Sequence, residues 1–232
     1  MTNNHMQISA PKSTEKAFKK LLDKMYISNV SKRLRELNQP NDIDRKRWIW
    51  ELLQNAKDTI TSNPDRDSIK ARILIDGDLV KFQHDGDPFT ADARLGLLYK
   101  YSEDKENAES TGRFGTGFLT THCLSKVVTI ESNMYGDENA IVGFSVTMYR
   151  DGFTEQELLE GLGKMRASEL YYSEPYDWTT YTYHINSESG RRAVQLGKEN
   201  FKEHCATLLF CKELSSVELI DNSERISIER IT

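Results

Sequence analysis

The pattern that most constrains this chain is an amphipathic helix predicted between Ile43 and Ser62. At about 100° per residue, Glu51, Asn55 and Asp58 point in nearly the same direction. The opposite face is apolar and consists of Ile49, Leu53, Ala56 and Ile60. Such a face packs against a second layer of structure. Taken alone, the pattern predicts a helix with one polar face turned to water, and it does not decide the function.

Helical and strand patterns alternate along the rest of the chain. Residues 71–75 and 79–83 are predicted strands, joined by an Asp76-Gly77 pair that favours a tight hairpin. A capping box at Thr154–Glu157 predicts a helix that runs towards Ala167. The other predicted strands are 127–132, 140–149, 179–185, 208–211, 216–220 and 226–231, and a last helix is predicted at 191–204. This alternation predicts a two-layer α/β fold.

We expect three sections along the chain. Residues 1–42 are predicted to form an N-terminal helical extension of two helices, the second covering residues 27–37. The first helix has an apolar face formed by Phe18, Leu21, Leu22 and Met25. Residues 43–205 are predicted to form the main domain. Residues 206–232 are expected to start a following domain or to be linker strands, because the chain ends directly after the last strand pattern.

The composition disfavours several classes of protein. The formal net charge is −5 and basic residues are interleaved with acidic ones, so a nucleic-acid-binding surface is not indicated. No apolar run approaches the ~18 residues that a membrane span needs. The three cysteines, Cys123, Cys205 and Cys211, have no metal-ligand spacing. They favour reduced thiols and a cytoplasmic location.

Two further motifs lie in predicted loops. The segment Phe82–Phe89 contains an Asp-Gly pair directly after a predicted strand, which ordinarily marks a turn. The segment Gly112–Phe118 contains three glycines, which allow the backbone to approach an anion closely. It is not a Walker A loop, because no Lys-Ser or Lys-Thr pair follows its last glycine. A Rossmann loop is also disfavoured, because the preceding stretch is charged rather than strand-like.

In combination and in this order, the three motifs resemble the GHKL ATPases, the superfamily of gyrase, HtpG chaperones, histidine kinases and MutL. They are Glu-x-x-x-Asn-Ala-x-Asp from Glu51, Asp-Gly-x-Pro-Phe from Asp85 and Gly-x-Phe-Gly-x-Gly-Phe from Gly112. The resemblance covers residues 43–185 and is greatest to HtpG-like and sacsin-like ATPase heads. It implies a Bergerat-type ATP-binding fold, a two-layer sandwich of a mixed β-sheet with helices on one face.

The resemblance also implies an ATP site that holds Mg²⁺. Glu51 matches the family's general base, and a carboxylate can accept a proton as water attacks the terminal phosphate. Asn55 matches the magnesium ligand, since its amide oxygen is a hard donor of the kind Mg²⁺ prefers. Asp58, on the same helix face, is expected to shape the water or adenine end of the pocket.

Base recognition is expected at the second motif. Asp85, beside Gly86, is the expected acceptor for the adenine amino group. The common family form is Asp-x-Gly-x-Gly, and aligning on Gly86 puts His84 at the aspartate position and Pro88 at the second glycine. The sequence leaves open whether His84 or Asp85 contacts the base. Thr180 resembles the strand threonine that assists adenine binding.

Phosphate binding is expected at the third motif. Its glycines would cradle the phosphates, and Thr116 and Phe118 would add backbone N–H groups. The motif consists of Gly112, Arg113, Phe114, Gly115, Thr116, Gly117 and Phe118. The stretch at about 87–117 is expected to form an ATP lid that is mobile from Gly96 to Thr111. Lys100, Ser102 and Lys105 are its candidates to contact a phosphate.

The motifs leave three functions open. The leading one is a slow ATPase head, in which Mg-ATP drives lid closure and homodimerisation and acts on downstream domains of a larger protein. A nucleotide-gated binding module with little hydrolysis would carry the same motifs. A histidine-kinase-like phosphotransfer domain is disfavoured by Glu51, because such kinases usually lack an acid placed to activate water.

Overall fold

The structure is a computed structural model that describes residues 12–61, 63–99, 116–222 and 224–230. The helices are α1 (Lys12–Glu36), α2 (Asp42–Asp58), α3 (Ala91–Tyr99), α4 (Thr116–Thr120), α5 (Glu155–Ala167) and α6 (Glu188–His204). The strands are β1 (Ile69–Asp76), β2 (Leu79–His84), β3 (Val127–Tyr135), β4 (Ile141–Tyr149), β5 (Leu170–Tyr172), β6 (Thr179–His184), β7 (Leu214–Asp221) and β8 (Glu224–Glu229).

The described strands form one mixed sheet in the order β5-β4-β3-β6-β2-β1-β7-β8. Only β1 and β7 pair in parallel, and the other neighbours are antiparallel. β1 and β2 are joined at Asp76-Gly77, where Gly77 has a φ of +56°. Glycine adopts this left-handed conformation without a steric penalty from a Cβ. The predicted hairpin is confirmed.

One face of the sheet is apolar and covered by helices. Ile73 on β1, Phe82 on β2 and Tyr181 on β6 lie side by side in the register and are buried. Above them α2 packs on α6, and the Trp48 indole N–H donates to the Ala193 carbonyl at 3.0 Å. This arrangement confirms the predicted α/β sandwich, with a mixed sheet and helices on one face.

Side-chain caps fix where two of these helices begin. Asn41 precedes α2, and its side chain accepts from the Asp44 backbone N–H at 2.9 Å. The capping box at Thr154–Glu157 is present at the start of α5, as predicted. Each cap satisfies an N–H group that the first turn of a helix leaves without a partner.

The N-terminal section is one continuous helix, α1, rather than the two that were predicted. Its second half is packed into the domain through Tyr26, Val30 and Leu34, which are buried. Its first half is exposed, with Phe18 at 62% and Leu21 at 54% of full exposure. Among the described residues, no helix combines the length and the apolar character needed to cross a membrane.

The strands near the end of the chain belong to the same sheet, whereas residues 206–232 were expected to start a new domain or a linker. β7 pairs in parallel with β1 and buries Val217 and Leu219 in the same apolar layer. β8 then pairs with β7. The strand predicted at 208–211 is instead largely a 3₁₀ helix, Cys205–Phe210. Periodicity cannot distinguish these alternatives in so short an apolar run.

The first part of the expected lid is packed into the domain. The Phe89 N–H donates to the Asn133 carbonyl at 2.8 Å, and the Phe89 side chain is buried. α3 buries Leu97 and Leu98. The segment from Gly96 to Thr111 was expected to be mobile, and its first residues, 96–99, instead lie in a helix with buried side chains. The remainder of the expected lid, residues 100–115, lies outside the described residues.

Candidate functional site

The polar face of α2 lines one side of the candidate site. Glu51 is 14% exposed, and its Oε1 accepts from Arg47 Nη2 at 2.5 Å. One turn later Asn55 is buried at 9% exposure, and its Nδ2 has no hydrogen-bond partner among the described residues. Asp58 accepts from the Gln54 amide at 2.8 Å. Of the three predicted residues, Asn55 therefore has the buried polar group that protein partners leave unused.

Gly117 brings the third motif against the first. A Cβ built on Gly117 would lie 2.3 Å from Oε2 of Glu51. Only a residue without a side chain allows this approach with Glu51 in its present position. The two carboxylate oxygens thus have different environments, since Oε1 binds Arg47 and Oε2 faces Gly117.

Gly86 brings the second motif to the other end of α2. A Cβ built on Gly86 would lie 2.1 Å from Oγ1 of Thr59, which caps the C-terminal end of the helix. At 1.5 Å per residue, the eight residues from Glu51 to Thr59 span about 12 Å. The motif segments therefore meet along one side of α2, at two points about two turns apart.

His84 is buried in the layer that α2 covers. Its ring stacks on Tyr181 with an interplanar angle of 26°. Burial, and secondarily the charge of Arg66, lower the pKa of His84 to about 3, so the ring is neutral. Nδ1 accepts from the Gly86 N–H at 3.1 Å. In a neutral imidazole the proton is then on Nε2, which makes Nε2 a donor.

The carboxylate of Asp85 is engaged by neighbouring protein groups. Its Oδ1 accepts from the Lys70 backbone N–H at 2.7 Å and pairs with Arg66 Nη2 at 3.1 Å. These bonds hold the Asp85 side chain beside Lys70, near the start of β1. Between the two residues that the sequence left open, His84 is the one in the buried layer beside Gly86 and Tyr181.

Thr180 lies on the sheet face opposite to His84. In the pairing of β2 with β6, Gln83 is opposite Thr180 and His84 is opposite Thr179. The Gln83 amide donates to the Thr180 hydroxyl at 2.9 Å. The threonine on the His84 side is Thr179, whose hydroxyl is 2.6 Å from that of Ser132. Successive residues of a strand alternate faces, so Thr179, and not the predicted Thr180, shares the face of His84.

Phe118 anchors α4 beneath the site. It is buried, and its ring centroid is 5.7 Å from those of both Tyr181 and His122. α4 is therefore tied to the layer that contains His84. The other predicted phosphate-binding residues, and the three lid candidates, lie outside the described residues or have undescribed side chains. They are Gly112, Arg113, Phe114, Gly115, Thr116, Lys100, Ser102 and Lys105.

The described side chains limit how a magnesium ion could be held at this site. Within the described ranges, no group of three or more His, Cys, Asp or Glu side chains could hold a metal ion. Mg²⁺ bound to a nucleotide does not require such a group, because phosphates and water supply most of its ligands. Asn55, one turn from Glu51 on the same helix face, could supply its Oδ1 to such an ion, whereas its unpaired atom is Nδ2, a donor that does not bind a cation.

Sequence reasoning missed two residues that shape this site. Arg47 lies four residues before Glu51 on the helix, a spacing that brings opposite charges together and could have indicated the pair. Thr59 and Gly86 are far apart in the sequence and are brought together by the fold, so no local pattern indicates their contact.

Comparison with known proteins assigns no family to this chain. No protein-family model matches the chain, and a search of curated proteins finds no match.

Proposed function

We propose that this chain is a GHKL-type head domain that binds ATP with Mg²⁺ and hydrolyses it slowly, acting on downstream domains of a larger protein. One observation carries the proposal. Gly117 meets Glu51 and Gly86 meets Thr59 along one side of α2, with the unused amide of Asn55 between them. The span of about 12 Å suits a nucleotide with its phosphates at the Gly117 end and its base at the His84 end.

Glu51 would act as the general base through Oε2. Its other oxygen is held by Arg47, which fixes the carboxylate and leaves Oε2 towards Gly117. An ionised carboxylate in this position can accept a proton from a water that attacks the terminal phosphate. This role requires Glu51 to act on the water and not to bind the nucleotide.

Asn55 would hold the Mg²⁺ together with phosphate oxygens and water. When bound, the ion neutralises and orients the phosphates. The part of the protein is to place the buried Asn55 one turn from Glu51, with Oδ1 as the atom that would bind the ion. The three free cysteines favour a cytoplasmic location for this activity.

A second copy of this chain is the partner that we propose. The first half of α1 exposes a contiguous apolar stripe formed by Phe18, Leu21, Leu22 and Met25. Such a stripe indicates an interaction surface, and the resemblance to GHKL proteins favours a nucleotide-dependent homodimer. Sedimentation with and without a non-hydrolysable ATP analogue tests this. We expect Leu21→Glu to prevent association, and Ile43→Glu, also exposed, to have no effect.

Calorimetric titration with ADP and Mg²⁺ tests nucleotide binding. We expect saturable binding, and no binding at millimolar nucleotide would contradict the proposal. Turnover of wild type and Glu51→Gln then tests the chemistry, with equal nucleotide affinity and loss of turnover expected for the variant. Binding without turnover in the wild type would favour the nucleotide-gated module. Phosphoryl transfer to a protein histidine would favour the kinase alternative.

A further inference from the structure

Arg150 is a buried cation whose hydrogen-bond partners among the described residues are all neutral. It follows β4 directly and is only 1% exposed. Nη2 donates to the carbonyls of Leu97 at 3.2 Å and Leu98 at 2.8 Å. Nε donates to the Tyr26 hydroxyl at 3.4 Å, and Nη1 lies 3.3 Å from Nε2 of His122. One side chain therefore joins α1, α3 and the turn after α4.

The two carbonyls belong to Leu97 and Leu98 of α3. A carbonyl oxygen has two lone pairs, so it can accept from the guanidinium whatever other partner it has. The carbonyls in turn offset the cost of burying a guanidinium away from water. Displacement of the α3 end would leave that charge without its strongest partners.

His122 connects Arg150 to α4. A guanidinium can only donate, so Nε2 of His122 must accept and the ring must be neutral. Burial, then the charge of Arg150, keeps the pKa of His122 well below its ordinary value. The His122 ring packs edge-on against Phe118, with an interplanar angle of 79°. Phe118 directly follows Gly117, whose backbone touches Glu51.

We propose that Arg150 is a positioning residue for the candidate site. By binding the end of α3 and His122 together, it fixes α4 and so holds the Gly117 backbone against Glu51. Its effect on hydrolysis rests on the proposed function, whereas its effect on the position of α4 does not. Tyr26 on α1 also orients the guanidinium, because its hydroxyl accepts from Nε of Arg150.

Hydrogen exchange tests the structural part without any nucleotide. Arg150→Met retains an unbranched side chain and removes every donor. We expect the amides of residues 116–123 and of the last turn of α3 to exchange at least about ten-fold faster. Val217→Ala, which truncates a buried side chain on β7, is the control for general destabilisation and should leave both segments unchanged relative to the rest of the protein.

A second variant separates the two links and covers the case in which Arg150→Met does not fold. His122→Phe retains the packing on Phe118 and the bonds of Arg150 to α3, and removes both ring nitrogens, including the Nε2 acceptor. We expect faster exchange in residues 116–123 and unchanged exchange at the end of α3. Uniform acceleration over the whole protein in either variant, or no change in either, would overturn the positioning role.

Kinetics test the link to the site. We expect turnover of Mg-ATP to fall at least about ten-fold in His122→Phe and Arg150→Met, with Mg-ADP affinity changed far less, and to be retained in Val217→Ala. Faster exchange at α4 with wild-type turnover would overturn the effect on the site. If the wild type binds no nucleotide, the proposed function fails, and the exchange measurements still decide whether Arg150 positions α4.

Discussion

Gly117 lies so close to Glu51 that a Cβ at position 117 would be 2.3 Å from Oε2 of the carboxylate. Real Cβ atoms are not found at such a distance, so any side chain at position 117 must move Glu51. The atom that moves is the far end of a flexible side chain, and the fold can tolerate this. The contact therefore links the backbone conformation at Gly117 to the position of Glu51, the proposed base.

Gly117→Ala should displace the carboxylate of Glu51 while the fold is retained. We expect turnover of Mg-ATP to fall at least about ten-fold with little change in the affinity for Mg-ADP. The control is Gly163→Ala on α5, where a new Cβ has no neighbour within 4 Å. This control should retain full turnover and gain up to about 1 kcal/mol of stability. Wild-type turnover in Gly117→Ala would mean that the contact has no catalytic role.

His84→Asp should change the preference between bases at the site. Neutral His84 offers a donor at Nε2, whereas an aspartate offers only acceptors. An unpaired hydrogen-bonding group costs roughly 1–3 kcal/mol, so the affinity ratio of ATP to GTP should rise by about ten-fold or more in the variant. Competition against a fluorescent nucleotide measures this ratio. Asp85→Asn is the control, because Asp85 is engaged by Lys70 and Arg66. A ratio changed by Asp85→Asn and not by His84→Asp would reverse the assignment.

Stability should decrease between pH 6.5 and pH 5 because two buried histidines resist protonation. The pKa of His84 is lowered to about 3, and that of His122 is well below its ordinary value, mainly through burial. In this window the unfolded chain binds protons that the folded chain does not, so the free energy of unfolding falls as pH falls. Each group contributes up to about 1.4 kcal/mol per pH unit.

Urea unfolding at several pH values measures this slope. His84→Phe should reduce it by about one proton's contribution. Phe210→Leu, at an exposed position that carries no titrating group, should leave it unchanged. A slope that is equal in wild type and His84→Phe would contradict the assignment of a neutral, buried His84.

Local sequence signals predicted several elements because they act within a few residues. The Asp76-Gly77 turn, the Thr154–Glu157 capping box and the helix that carries Glu51 and Asn55 all agree with the structure. The helix pattern also placed the polar residues on one face. It could not show that Glu51 meets Gly117, because that contact joins segments far apart in the chain.

Features that depend on long-range packing could not be predicted. The parallel pairing of β7 with β1 joins residues more than a hundred positions apart, and nothing in either strand specifies its partner. Thr179 and Thr180 both lie in a strand of threonines and tyrosines, so only the register shows which one faces His84. Arginine is usually exposed, so the sequence does not predict that Arg150 is buried. Its burial depends on backbone carbonyls of α3, which bind the guanidinium.

The magnesium dependence of ATP binding tests the central claim most directly. Calorimetric titration with ATP would be done with Mg²⁺ and with a chelator, on wild type and on Asn55→Ala. We predict that Mg²⁺ strengthens binding at least about ten-fold in the wild type, and that this gain is lost in Asn55→Ala because Oδ1 of the buried Asn55 is the proposed protein ligand to the ion. An equal gain from Mg²⁺ in both proteins, or no ATP binding by the wild type, would contradict the account.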